Sequence, residues 1–232
     1  VGAAPLGRRL LAELLGTGLL VAAVVGSGIA AARLSPGNLG LELLENAAAT
    51  SGALVALILA LAPVSGAHFN PVVTLADRAF GGIASIDAAA YVTAQVAGGL
   101  GGSLLANAMF ALPTFEASTR TRSSGPLWLA EVVATFGLVL IVLGVVRSGR
   151  AGWAPFAVGG YIGSAYFFTS STSFANPAVT IGRTVTDTFA GIRPSSAPAF
   201  VAAQLGGGAL AVAAIRILYP RVTEAVRTEA RV

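Results

Sequence analysis

Asn70-Pro71-Val72-Val73-Thr74 and Asn176-Pro177-Ala178-Val179-Thr180 are the two words on which the reading of this chain turns. Each follows a long apolar stretch and opens an apolar run too short to cross a bilayer. Asn is a preferred N-cap, because its side-chain oxygen takes a free backbone N–H. Pro suits the first helical position, where its missing N–H costs nothing. Each word therefore predicts the start of a re-entrant half-helix.

Six long apolar stretches surround these words, near Leu10–Ala31, Gly40–Ala62, Ala88–Phe110, Leu127–Val146, Trp153–Thr169 and Ala197–Leu218. A spanning helix needs roughly 20 mostly apolar residues. The 232-residue chain is 55% apolar and only 10% charged, with a mean hydropathy of +0.81. A soluble domain carries roughly 25% charge. The expected architecture is an all-α membrane protein of six transmembrane helices plus two half-helices. The composition excludes a disordered chain and a coiled coil. The absence of Cys excludes a disulfide scaffold and a thiolate metal site. No nucleophile–base pair, metal-ligand cluster or phosphate loop is present, so the chain reads as a non-enzyme with no catalytic residue, metal or cofactor.

All 14 basic residues are Arg, and the pI is near 10.3. Basic loops orient membrane proteins, and this reading is preferred over a nucleic-acid partner. With six spans both termini lie on one side. That side takes Arg8, Arg9, Arg78, Arg147, Arg150, Arg216, Arg221, Arg227 and Arg231; the other takes Arg33, Arg120, Arg122, Arg183 and Arg193. The excess places the termini in the cytoplasm. Trp128 and Trp153 fall at span ends, as interfacial rings do. The first apolar run is too long for a cleavable signal peptide.

The two halves share a word order. Ala12-Glu13-Leu14-Leu15-Gly16-Thr17 matches Ala130-Glu131-Val132-Val133-Ala134-Thr135, and Ala94-Gln95-Val96-Ala97-Gly98-Gly99 matches Ala203-Gln204-Leu205-Gly206-Gly207. Three spans per half is odd, so the second copy enters from the opposite face: an inverted repeat with its site at the midplane. The half-helices then meet N-terminus to N-terminus, each end carrying roughly +0.5 charge. That disfavours a cation, while the Asn carboxamide N–H groups can donate to a neutral solute. Gly98, Gly99, Gly101, Gly102 and Gly206, Gly207, Gly208 read as faces of close helix packing.

These residues resemble the aquaporins, the major intrinsic protein family, over nearly the whole chain. The resemblance rests on Ser65-Gly66-Ala67-His68-Phe69-Asn70-Pro71, on Asn176-Pro177-Ala178 and on the paired Glu and Gln words. It implies an aquaporin-like right-handed bundle, one pore per subunit and a homotetramer. On this reading residues 1–232 are a single transmembrane channel domain, with repeat one about 9–112, repeat two about 126–218 and a cytoplasmic tail over 219–232. The tail, rich in Arg and Glu from Arg221, reads as an interfacial helix or a linker to a longer protein. The implied location is a bacterial inner membrane, with lipid and small neutral solutes as partners. Asn70 and Asn176 match the paired pore asparagines. Val72 replaces the usual Ala, for which a mild shift in half-helix packing is expected. Glu13 and Glu131 match buried glutamates that accept hydrogen bonds from the re-entrant loops, and Gln95 and Gln204 brace the same loops. His68, the only histidine, is expected to be a structural hydrogen-bonder.

The family's outer filter has an Arg three places after the second Asn; here that place is Val179. Thr50 stands at the second-span filter position and Ser173 at the loop position. The fifth-span position falls on Ser164 by counting from the motif, or on Tyr166 by aligning from Pro155. Val carries no donor, so the expected filter is wider and less polar than in a strict water channel. Thr180 replaces the Asp of glycerol facilitators. The run from Tyr166 to Asn176 and on through Asp187-Thr188-Phe189-Ala190-Gly191-Ile192 resembles a bacterial subgroup associated with arsenic resistance. That implies passage of neutral solutes such as arsenious acid, with glycerol close in size. Arg183, one turn beyond Val179, either places a guanidinium at the outer mouth or reaches to the headgroups; the second is the expectation. Two competing readings remain: a secondary active transporter using Glu13 or Glu131 as coupling carboxylate, and a closed structural membrane protein.

Overall fold

A computed structural model describes residues 4–220. Every regular element among them is helical: α1 (Leu6–Leu34), α2 (Leu39–Ser65), α3 (Pro71–Ala79), α4 (Ser85–Met109), α5 (Gly125–Arg147), α6 (Ala154–Phe168), α7 (Pro177–Gly182) and α8 (Ala197–Leu218). The six apolar stretches become α1, α2, α4, α5, α6 and α8, and the two Asn-Pro words open α3 and α7. The tail from Arg221 to Val232 lies outside the described residues, and with it the interfacial-helix and linker readings.

The helix ends follow from local chemistry. Asn38 caps α2, its side chain accepting from the Leu41 N–H at 3.1 Å. Gly66 ends α2 at φ 88°, a left-handed turn that favours glycine. Pro126 and Pro155 sit in the first turns of α5 and α6, where proline is tolerated.

Judged by length and composition alone, four stretches qualify as spans: α1, α2, α5 and Pro194–Leu218. α4 is long enough but carries Gln95, Ser103 and Asn107, all turned into the protein interior. α6 has 15 residues, about 22 Å at 1.5 Å per residue. A 3₁₀ turn, Ala151–Trp153, extends it at its N-terminus.

The two halves pack alike. α1 rests on α2 and α4, α5 rests on α6 and α8, and α2 meets α6 across the halves. Each half-helix touches the fourth helix of both halves, α3 against α4 and α8, α7 against α8 and α4. A Cβ on Gly98 would stand 2.3 Å from Leu14 O, and one on Gly207 2.4 Å from Val132 O. Only glycine lets these backbones touch. At Gly101 and Gly206, expected in the same contact faces, a Cβ would meet no packing neighbour within 4 Å among the described residues. Leu11, Leu15 and Leu19 form an exposed row on α1, and Trp128 and Trp153 are exposed near the starts of α5 and α6. Apolar exposure of this kind suits lipid, not water.

Candidate functional site

The two loops before the asparagines are built from strained backbone. Ala67 and Phe69 have φ of 50° and 48°; Ser173 and Ala175 have 52° and 49°. A non-glycine residue there costs about 1–3 kcal/mol and persists only where its surroundings hold it. One buried carboxylate holds each loop. Glu13 accepts from His68 N at 2.9 Å and Phe69 N at 2.7 Å, and from Ser65 Oγ and Gln95 Nε2, both at 2.7 Å. Glu131 accepts from Phe174 N and Ala175 N, both at 2.9 Å, and from Gln204 Nε2 at 2.6 Å. Both glutamates are fully buried. Each Gln also donates to a threonine, Gln95 to Thr74 Oγ1 at 2.9 Å and Gln204 to Thr180 Oγ1 at 2.8 Å. Each threonine in turn donates to the carbonyl of its own asparagine. His68 Nδ1 lies 3.1 Å from Thr74 Oγ1.

The asparagines lock the halves together. Asn70 Oδ1 takes the Val72 N–H at 2.9 Å, and Asn176 Oδ1 takes those of Ala178 at 2.9 Å and Val179 at 3.3 Å. Asn70 Nδ2 donates to Ala175 O, and Asn176 Nδ2 to Phe69 O, each at 2.8 Å. A carboxamide nitrogen has two hydrogens. One is thus committed to the opposite loop, which leaves one per asparagine for a solute.

A cavity of about 540 Å³ runs past this junction. Its wall contains two four-residue stripes, Thr50-Leu54-Ile58-Ala62 on α2 and Ala154-Val158-Ile162-Tyr166 on α6. Residues four apart share a helix face, so the stripes run antiparallel along the bore. Leu20, Val24, Leu138 and Val142 add further apolar wall. Sequence reading singled out Thr50 and Tyr166 but passed over the rest of these residues, although the spacing of four was there to see. Glu13 and Glu131 do not line the cavity, and their oxygens are taken by loop donors. The coupled-transporter reading needs a carboxylate facing the pathway and finds none in these two.

At one end stand Thr50, Tyr166, Ser173, Val179 and Arg183, all in the wall. Thr50 Oγ1 and Tyr166 Oη lie 3.1 Å apart. Ser164 takes no part in the wall; it is exposed and donates to Gly160 O at 2.8 Å. Of the two fifth-span candidates, the helix therefore presents Tyr166. Ser173 Oγ is buried without a partner among the described residues. Val72 points away from the bore, into a cluster with Val139, Ala211 and Ile215. A Cβ on Gly208 would stand 2.2 Å from Val72 Cγ1, so the missing side chain there gives the valine its room.

Arg183 departs from its expected place. It is 3% exposed rather than extended to the headgroups. Its Nε donates to Ala190 O, and its guanidinium lies 3.4 Å over the Phe174 ring. On the same ring, at 5.1 Å, sits Arg122, fixed by Gly191 O at 3.0 Å. Burial, and then the neighbouring Arg120, push the Arg122 guanidinium down to about 10. At the opposite end His68 and Asp77 line the cavity, with Nε2 and Oδ2 3.8 Å apart.

Residues 3–173 match the family described as Major intrinsic protein. Aquaglyceroporin AqpS of Rhizobium meliloti is 51% identical over 211 residues, covering 91% of this chain and 90% of that protein. Aquaporin Z of Photorhabdus laumondii is 30% identical over 170 residues, covering 66% of this chain and 71% of that protein. In fold, the X-ray structure of the aquaglyceroporin from Plasmodium falciparum matches with a TM-score of 0.71 at 20% identity, over 91% of this chain and 96% of that one.

Proposed function

Because the chain belongs to the major intrinsic protein family, whose members are passive channels and not enzymes, we propose that it is a channel whose filter admits neutral solutes larger than water. The observation that carries this reading is the wall at Val179. An arginine there would set fixed donors and a charge in the bore, as in selective pores generally. Valine sets neither, and the nearby Tyr166 hydroxyl is engaged with Thr50. The paired half-helices and their asparagines supply donors to an uncharged solute at the midplane. Glu13, Glu131, Gln95, Gln204 and His68 serve to hold the loops. Thr50, Tyr166, Ser173 and Val179 form the filter.

Glycerol is the first solute in this reading, supported by the 51% identity to an aquaglyceroporin. Arsenious acid, uncharged at neutral pH and similar in size, is the second. The membrane-embedded unit is a single domain of two inverted repeats, with cytoplasmic termini in a bacterial inner membrane, assembled as a homotetramer. The exposed leucine row on α1 is the kind of face that lipid or a neighbouring subunit covers.

Stopped-flow light scattering on proteoliposomes tests the proposal with water, glycerol and arsenious acid as solutes. The expected result is fast glycerol entry in the parent, reduced about tenfold or more in V179R while water flux persists. Water flux with glycerol and arsenious acid both excluded by the parent would overturn the wide-filter reading.

A further inference from the structure

Arg183 is a buried cation in the channel wall, and no carboxylate among the described residues forms an ion pair with it. Removing a charge from water is expensive, so its surroundings must offset the cost. They do so in part: the Phe174 face supplies a cation–π contact, and Ala190 O accepts from Nε. Among the described residues no acceptor engages the two terminal amino groups. The residue lines the cavity, and so does Ser173, whose hydroxyl also lacks a partner among the described residues. Unmatched donors and an unmatched hydroxyl thus share one bore.

Pseudo-symmetry supports this placement independently. Arg183 stands seven places after Asn176, and Asp77 seven places after Asn70. Both line the cavity, so the seventh place after each asparagine faces the bore, Asp77 within α3 and Arg183 at the start of the 3₁₀ turn that follows α7. Val73 and Val179, three places after each asparagine, line it too. The second half-helix and the 3₁₀ turn after it therefore offer two wall positions, and this chain has its arginine at the outer of the two.

Resting on the channel reading above, we propose that Arg183 is a selectivity residue. Its terminal amino groups hydrogen-bond the oxygens of passing neutral solutes beside Ser173, and its charge repels cations at this end of the pore. The arginine has moved one helical turn along the wall. This opens the filter at Val179 without leaving the pore uncharged. Phe174 is the positioning residue that keeps the guanidinium planar against the wall.

The test compares the parent with R183M and R183K in proteoliposomes, reading water, glycerol, K⁺ and proton flux on the same vesicles. R183M removes the charge at similar length. Its expected result is a rise in cation entry of about tenfold or more, the size of one lost like-charge repulsion in a partly dry site. The glycerol-to-water ratio should shift with it. R183K keeps cations out but alters that ratio, because an ammonium cannot reproduce the planar fork. If Arg183 merely ties the loop to Ala190, R183M changes thermal stability and leaves selectivity as in the parent; that result overturns the proposal. Should R183M fail to accumulate, an unchanged ratio in R183K overturns it instead. A parent that passes water but no glycerol sinks the wide-filter reading alone, since cation entry in R183M still reports on Arg183.

Discussion

The two half-helices are braced alike and finished differently. Behind each asparagine lies the same apparatus: a buried glutamate, a glutamine and a threonine, joined by bonds of nearly equal length. In front, the residues that flank each half-helix are opposite in chemistry. Two places before Asn70 stands His68 and seven places after it Asp77, an acid–imidazole pair 3.8 Å apart. Two places before Asn176 stands Phe174 and seven places after it Arg183, an aromatic–guanidinium pair at 3.4 Å. The two halves agree in what holds the loop backbone and differ in what lines the cavity. The midplane needs two equal loops, whereas the two ends of a pore have separate tasks.

The brace is where the largest effect is expected. E13A and E131A each leave buried loop N–H groups without an acceptor. Bonds to a charged group are worth about 1.5–3 kcal/mol each. Each variant should lose several kcal/mol and, with it, solute flux. Glu13 also accepts from Ser65 Oγ, and Glu131 has no such contact among the described residues, so E13A should melt at the lower temperature in detergent. Equal melting temperatures would show that the serine bond carries no weight in the comparison.

A smaller break separates the contacts of the half-helices with α4 and α8. A Cβ on Gly99 would stand 2.6 Å from the backbone oxygen of Ala178, and one on Gly208 2.2 Å from a side-chain methyl of Val72. Both G99A and G208A should cost about 1–3 kcal/mol by overpacking. Only G208A can be relieved by a side-chain change. The double variant V72A/G208A should recover most of the lost thermal stability, while V72A combined with G99A should not. Failure of the first rescue would mean that Val72 is not what fills the space at Gly208.

The smallest effect concerns the connections that leave the two half-helices. After α3 the chain turns through the short Phe80–Ala84 link. After α7 it makes the longer Arg183–Ser196 excursion, clamped by Asp187. That carboxylate accepts from Thr119 N at 2.9 Å and from Thr119 Oγ1 at 3.0 Å. The Thr119 backbone N–H, more than the side-chain donors, holds the Asp187 carboxyl below the usual carboxylate range. A depressed carboxyl contributes stability above the pKa of an unfolded aspartate and loses it as the pH falls through its own lower value. D187N should therefore flatten the acid limb of the stability–pH curve slightly and leave neutral-pH solute flux unchanged. An acid limb identical to the parent's would show that the clamp adds nothing.

Much of this was legible in the residues. The Asn-Pro words announced two helix starts because capping is local: an oxygen, the next turn's N–H and a ring that needs no donor. Hydropathy marked the spans because every residue facing lipid must be apolar whatever its neighbours. The matching Glu, Gln and Gly words exposed the duplication, because equal loops require equal braces. Other features depended on distance across the fold. Choosing Tyr166 over Ser164 required the rotation of α6 against α2, which no local pattern contains. That one hydrogen of each asparagine belongs to the opposite loop follows from residues more than a hundred positions apart coming within 2.8 Å. Gly208 accommodates Val72 only because α3 and α8 come from different halves. Arg183 depends instead on the path the chain takes around α7. Sequence read an arginine near a helix end as a side chain bound for the headgroups, since local chemistry favours hydrated charge. Tertiary structure placed an aromatic face and a carbonyl beside it, nine and seven residues away along the chain, and the folded path of the segments on either side of α7 keeps the charge in the channel wall.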